Sequence, residues 1–378
     1  MTAPSGATLD DAVPSRKEGW IALADAIART PPDRLDMTAL GRLSEQARAD
    51  YDRQRRIWHA NIGPLRTPQM ADIHEDLWDI LDSNAHDGDK VKGAAAIDAF
   101  PGLGKTTIAL TFAREFHRRE VAAFGRYTAD GHEHLPVCRV GLGANTTIKA
   151  LNQAILTFYG HPSAGRYSSS TTAQLAAQAL DCIVSCRTRL VVVDDVHFLD
   201  VRSRDGLEVS NHLKWLANEF PVTFLFVGVS LRERGLMSEG MTSSEQAMAQ
   251  TARRWTRLTL HPFRIADDTS RAAWRALLLG IERNLVLARL QPGVVADELS
   301  GYLFARTTGH IGSLMTLINR GAQRAVRRGE ETLSVELLDT VKIDEGAENA
   351  RAPLQAALDS GRLTPQARSL RAPAHAGS

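Results

Sequence analysis

Nine consecutive residues, Ala99-Phe-Pro-Gly-Leu-Gly-Lys-Thr-Thr107, bring together the groups needed to grip a polyphosphate. At the start of a helix, main-chain N–H groups point at anionic oxygens. Gly102 and Gly104 permit backbone angles and a close approach that a Cβ would obstruct. Pro101, Leu103 and Thr107 complete the loop. In such a P-loop the Lys105 ammonium reaches the β- and γ-phosphates and the Thr106 hydroxyl ligates Mg2+. ATP with Mg2+ is therefore the expected cofactor pair. The usual pattern opens on glycine, where this chain has Ala99. The Gly-Lys-Thr-Thr run, a strand before it and an amphipathic helix after it supply the context that the first position lacks.

A phosphate loop needs an acid at the end of a buried strand to hold the metal. Leu190-Val-Val-Val-Asp-Asp195 fits, with Asp194 holding Mg2+ directly or through water. Asp195 occupies the catalytic position where a longer glutamate more often polarises the attacking water, so slow hydrolysis is expected. Val227-Gly-Val-Ser230 ends the next apolar run, and Ser230 is either a contact for the γ-phosphate or water, or a plain strand-to-loop serine. In Thr251-Ala-Arg-Arg-Trp255 a cation is positioned to enter a neighbouring subunit's site, an effect worth ~10³–10⁵ in rate where measured. Arg254 is the first choice and Arg253 the second, against surface arginines on a helix. The loop Asp130-Gly-His-Glu-His-Leu135 holds His132 and His134 without other matched metal ligands, and reads as a polar connection.

The elements that must position these groups follow from apolar spacing. Helices are expected at about Arg16–Ala28 and Leu35–Asn61, the second ending in a basic cluster of Arg53, Arg55 and Arg56. That cluster is either a solvated face or a nucleic-acid or partner contact. From Arg66 to His261 strands alternate with helices: strands at Ala94–Ala99, Pro136–Leu142, Leu190–Val193, Val222–Val229 and Thr256–Leu260, and helices from Lys105, at Thr146–Tyr159, Leu175–Cys186 and Leu207–Phe220. The unbroken apolar run Leu190–Val193 is the mark of a strand covered on both faces. Alternation of this kind implies an α/β fold with a parallel sheet between helices. After Pro262 only helices are expected, at about Asp268–Arg283, Val294–Thr307, Ile311–Arg328 and Val335–Val341. The organisation is thus an N-terminal helical extension over 1–65 with the first 15 or so residues disordered, an α/β core over 66–262, a helical lid over 263–345, and a disordered tail over 346–378. The tail reading rests on four arginines against two acids in an Ala-, Pro- and Ser-rich stretch.

The chain has 378 residues, 43% hydrophobic and 24% charged, with a formal net charge of +1 that leaves any basic surface local. Three cysteines give no disulfide framework and suit a reducing cytoplasm. Cys182 and Cys186, four apart on a helix, read as small buried apolar groups ahead of a metal or redox pair. No run of about 18 apolar residues exists to span a membrane. Met1–Pro14 lacks the basic-then-apolar pattern of a secretion signal.

With these residues in place, the chain resembles the TniB/TnsC group of AAA+ ATPases, which regulate transposition, and more distantly MuB and IstB. The likeness runs from about Tyr51 to Ile343. It includes Arg66-Thr-Pro-Gln69, Thr147-Ile-Lys-Ala-Leu151, Asp194-Asp-Val-His197, Leu213-Lys-Trp-Leu-Ala-Asn-Glu219, Arg254-Trp255 and Gly309-His-Ile-Gly-Ser-Leu314. The departures are Ala99, Asp195 and the missing lid arginine near Gly312. The resemblance implies an AAA+ core, an ATPase that oligomerises as a ring or helical filament on double-stranded DNA, and a transposase partner. It implies DNA contact at Thr146, Thr147 and Lys149, which a capping threonine and a solvated lysine explain equally well. The alternatives are an ATP-switched scaffold of a defence or signalling complex without DNA, and a helicase-loader-like ATPase.

Overall fold

Three runs, β1 (Ala94–Asp98), β3 (Leu190–Asp194) and β4 (Thr223–Gly228), are buried along their whole length. A strand covered on both faces gains from an apolar side chain at every position, which is why these runs do not alternate. β2 (Val137–Gly141) and β5 (Trp255–Thr259) flank them, less buried. The computed structural model describes residues 13–86, 93–143, 146–164, 170–196, 222–231 and 255–366. The chain forms two units, one comprising Met1–Ile27, Gln69–Pro101 and Lys105–Leu260, the other Ala28–Pro68, Gly102–Gly104 and His261–Ser378.

In the first unit the five strands lie in the order β2-β3-β4-β1-β5, every neighbour pair parallel. Asp98 stands opposite Gly228 and Thr259, and Gly141 opposite Asp194, so the carboxyl ends finish side by side. Among the described residues the helices of this unit are α1 (Lys17–Asp25), α4 (Pro68–His86), α5 (Lys105–Phe124), α6 (Ile148–Tyr159) and α7 (Thr172–Ser185). α5 buries Ile108, Ala109, Phe112, Ala113 and Phe116 along one stripe, and the Trp78 ring of α4 meets Phe112 edge-on at 5.0 Å. Each such large apolar side chain contributes about 1.5–3 kcal/mol by leaving water. α7 begins with a reciprocal capping box between Thr171 and Gln174. Cys182 and Cys186 on this turn-rich end are only half-buried, and Cys138 alone among the three is buried.

The N-terminal extension expected over 1–65 divides between the units. Trp20 on α1 is fully buried and its indole N–H donates to Nδ1 of His117 on α5 at 3.1 Å, so α1 belongs to the sheet unit. The single helix expected over Leu35–Asn61 is two, α2 (Met37–Gly41) and α3 (Glu45–Ala60). Asp36 and Ser44 accept the main-chain N–H groups of Ala39 and Ala47, and side-chain caps of this kind restart a helix instead of continuing it.

The second unit is helical: α2, α3, α8 (Asp268–Asn284), α9 (Ser300–Thr307), α10 (Ile311–Arg328), α11 (Val335–Asp339) and α12 (Glu345–Asp359). Its core gathers Trp58, Trp274, Leu278, Leu303, Leu317 and Ile318, among others. The helix expected over Val294–Thr307 is interrupted. Residues Val294–Glu298 form a wider turn, whose N–H groups at Val295 and Ala296 are satisfied by the buried Glu282 carboxylate at 2.8 and 3.2 Å. The segment from 346, expected to be disordered, carries α12. Asp344 caps it, Ala347 is buried, and the buried Arg306 of α9 reaches Tyr302, Asp339 and Glu348. Composition flagged the charged residues of this stretch but not the ion pairs that hold it. Of the basic cluster on α3, Arg55 is buried and bonded to Glu331 at 2.6 and 2.9 Å and to Asp52, which removes it from any surface contact.

Candidate nucleotide site

The carboxyl end of a parallel sheet collects the loops that follow each strand, and ligands bind there. In the sheet unit those loops are the P-loop after β1, the segment holding Thr146 after β2, Asp195 after β3 and Ser230 after β4.

At the P-loop, Gly102 and Gly104 have φ of +76° and +84°, the left-handed conformation that strains a residue with a Cβ. A Cβ at Gly102 would meet nothing within 4 Å, so backbone angle and not space requires glycine there. Ala99 has no positive φ and donates its N–H to the Gly228 carbonyl at 3.3 Å. Its methyl group therefore carries no conformational penalty, which accounts for the departure from the usual first glycine. Gly102–Gly104 group with the helical unit. There the Gly312 N–H donates to the Gly102 carbonyl at 2.8 Å, and a Cβ on Gly312 would stand 2.9 Å from that oxygen.

Lys105 opens α5 and donates to the Phe100 carbonyl at 2.8 Å. Desolvation pushes its ammonium below the usual lysine range, opposed by the charges of Asp194, Asp98 and Asp195. Among the described residues no carboxylate is bonded to it, so this half-buried cation has room for an anion. Thr106 Oγ1 donates to Asp194 Oδ1 at 3.3 Å. Two hard oxygens, a hydroxyl and a carboxylate, are the donor set that Mg2+ takes beside phosphate. The residues present fit both ATP and Mg2+: Pro101 to Thr107 would hold the phosphates, and Thr106 and Asp194 the metal. No group of three or more His, Cys, Asp or Glu suited to a metal occurs among the described residues. The His-Glu-His loop is tied down instead, with Glu133 paired to Lys17 and His134 Nδ1 2.8 Å from the Gly125 carbonyl.

Asp194 is 4% exposed, and Asp195 beside it is open to solvent. Asp195 adopts φ +61° and donates its N–H to Asp194 Oδ1 at 3.0 Å. Aspartate tolerates the left-handed region better than most residues with a Cβ, because its short polar side chain bonds locally. That is a physical reason for aspartate at a position where a glutamate is more usual. Ser230 also has positive φ, +53°, and is half-buried at the end of β4. Strained angles at two loops of one sheet end are the kind of stored strain that marks functional sites.

Two residues escaped the sequence reading. Asp98, the last residue of β1, is buried; it accepts the Leu231 N–H at 3.0 Å and the Arg257 guanidinium at 2.9 and 3.0 Å. It thereby fastens the loop after β4 and the strand β5 to the base of the P-loop. Arg139 of β2 donates to Asp194 Oδ2 at 3.2 Å and orients that carboxylate. An acid closing an alanine-rich strand and an arginine inside Val137–Gly141 were the available signals.

Thr147 caps α6 by accepting the Ala150 N–H at 3.2 Å, Thr146 donates to the Gly143 carbonyl at 2.6 Å, and Lys149 is half-buried in the first turn. Arg253, Arg254, His197 and the Leu213–Glu219 motif lie outside the described residues, as do the expected helix 207–220 and residues 367–378. No described helix is long and apolar enough to cross a membrane.

An AAA domain family matches residues 88–237. No curated protein matches the chain. Among solved structures, the chain is similar to the Aeropyrum pernix ORC1 protein in complex with DNA, at 18% identity and a TM-score of 0.53, over 82% of this chain and 71% of that one. It is also similar to the Aeropyrum pernix ORC2 protein with ADPNP and ADP, at 13% identity and a TM-score of 0.55, over 79% and 72%. Residues 88–237 thus match an AAA domain that holds the P-loop and four of the five parallel strands, the fold of an ATPase.

Proposed function

We propose that this ATPase binds ATP with Mg2+, oligomerises as a ring or filament on double-stranded DNA in the cytoplasm, and recruits or activates a transposase. The observation that carries the reading is the run of motifs from Tyr51 to Ile343 that follows the TniB/TnsC pattern well beyond the P-loop. An ORC1 protein of the same fold, solved with DNA, supports the choice of ligand. Thr146, Thr147 and Lys149 sit after β2, where a helix start offers donors for backbone phosphates without reading sequence. Asp194 holds the metal, Asp195 aligns the water, Ser230 senses the γ-phosphate, and Arg254 of one subunit completes the site of the next. The short Asp195 side chain makes turnover slow.

The test is binding of non-specific duplex DNA with and without a slowly hydrolysed ATP analogue, across a range of salt. Affinity that needs the analogue and falls steeply with salt supports the reading. No duplex binding at low salt rejects it and leaves the ATP-switched scaffold. DNA binding with activation of a helicase in place of a transposase favours the loader.

A further inference from the structure

A second charged surface, in the helical unit, is not used by the nucleotide site. α10 buries Leu314, Leu317, Ile318, Ala322, Ala325 and Val326 and turns Arg320, Arg324, Arg327 and Arg328 outward, with no acid anywhere in the helix. Asn319 and Gln323 of α10 donate to the Ala60 and Arg56 carbonyls of α3 at 3.4 Å, which sets Arg53 and Arg56 beside this row. Little neutralises the row. Arg320 and Arg324 donate to the main-chain carbonyls of Lys342 and Thr340, which carry no charge, and Arg328 meets Glu330 only at 3.5 Å. The acids of α3 nearest Arg53 are Asp52, already paired with Arg48 at 3.0 Å and with Arg55, and Asp50, bonded by Gln46 at 3.2 Å.

Cations in the last turn of a helix complement its dipole, which accounts for Arg327 and Arg328 on their own. It does not account for Arg320, two turns earlier, or for Arg53 in the middle of α3. At about 1.5 Å of rise per residue, Arg320 to Arg328 span roughly 12 Å. A duplex strand presents a phosphate about every 3.4 Å of its axis, so the row is long enough to face three of them. A lipid surface would call for several large apolar side chains among the cations, whereas α10 exposes none and α3 exposes Ile57 alone.

We infer that the arginine row of α10, with Arg53 and Arg56 of α3, is a second contact for the phosphate backbone of duplex DNA, separate from the segment after β2. The inference rests on the DNA reading given above. The contact is sequence-independent, since bonds from guanidinium groups to phosphates carry no base information.

Arg53→Gln, Arg56→Gln, Arg327→Gln and Arg328→Gln combined leave the two arginines that tether main-chain carbonyls untouched. The full chain carrying them should melt at the wild-type temperature and bind ATP with unchanged affinity. Its duplex binding should weaken at least tenfold at 0.1 M salt, with a log–log salt slope shallower by about 3.6. If the combined variant does not fold, Arg327→Gln with Arg328→Gln alone should lower the slope by about 2. A wild-type that binds duplex with a slope the variants leave unchanged overturns the inference while the DNA reading stands. A wild-type that binds no duplex at low salt removes both. Arginine-dependent binding to phosphatidylserine vesicles, without duplex binding, would overturn it in favour of a lipid surface.

Discussion

Asp194 and Glu331 are both buried acids facing guanidinium groups, one at the end of β3 and the other in the helical unit. Glu331 is fully buried and saturated: Arg55 bonds both its oxygens, Arg48 adds a third contact at 3.1 Å, and the Ala288 N–H a fourth at 3.1 Å. Asp194 has one arginine, Arg139, at a longer 3.2 Å, and shares its other oxygen with the Thr106 hydroxyl and the Asp195 N–H. Asp195, next along the chain, and Thr106 are exposed. The same pair of charges holds a fold together where every lone pair is used, and forms a site where the carboxylate still opens toward a loop.

The largest expected effect lies on the saturated side. Glu331→Gln removes the buried carboxylate that meets both Arg55 and Arg48, leaving Arg55 with Asp52 as its remaining carboxylate partner among the described residues, and should cost about 3–5 kcal/mol of stability. Denaturant titration measures this, and a loss below about 1 kcal/mol would remove the distinction between the two acids. Replacing Arg55 and Glu331 together by apolar residues of similar volume should recover most of that stability.

On the open side the loss is functional. Lys105→Ala should weaken ATP binding by at least about 100-fold, roughly 3 kcal/mol, with little change in melting temperature. Asp195→Ala should keep binding and stop turnover. Calorimetry with the ATP analogue, run beside a phosphate-release assay, separates the two, and equal loss of binding in both variants contradicts the role given to Asp195.

Buried histidines sharpen the comparison between the units through pH. Burial lowers His117 in the sheet unit and His59 in the helical unit to about 4. Each ring is neutral when folded: His117 accepts from Trp20, and His59 accepts the Val286 N–H at 3.0 Å. Below the ordinary histidine pKa of about 6.5 the unfolded chain takes up protons that the folded chain refuses. Stability from both rings is therefore complete above about pH 6.5 and is lost as pH falls toward 4, by up to about 3 kcal/mol each. Denaturation curves of wild-type, His117→Gln and His59→Gln between pH 7 and 4 should show the acid slope reduced in each variant. The smallest effect is Ala99→Gly, where the missing positive φ predicts ATP affinity within about twofold of wild-type and a stability change of about 0.5–1 kcal/mol at most.

Much of this site was legible before any coordinates. A P-loop is local: the glycines, the lysine and the hydroxyl act through one turn and the helix behind it, so Gly102 to Thr106 could be named from spacing. Asp194 was readable because a fully apolar run followed by an acid has one common meaning beside a phosphate loop. Asp98 and Arg139 were not, because their partners, Leu231, Arg257 and Asp194, come from distant strands. Arg55 was misread for the same reason, since a basic run on a helix looks solvated until the acid that meets it, 276 residues away, is brought in.

The sequence by itself determined what depends on neighbours within a few residues: the buried strands, the stripe of α10, the caps and the phosphate loop. Only the tertiary structure decided which acids were used up and which stayed open, that α1 joins the sheet unit, and that Glu345–Asp359 forms a helix. Those outcomes depend on burial and on charges brought together from far along the chain. Local periodicity carries no record of either.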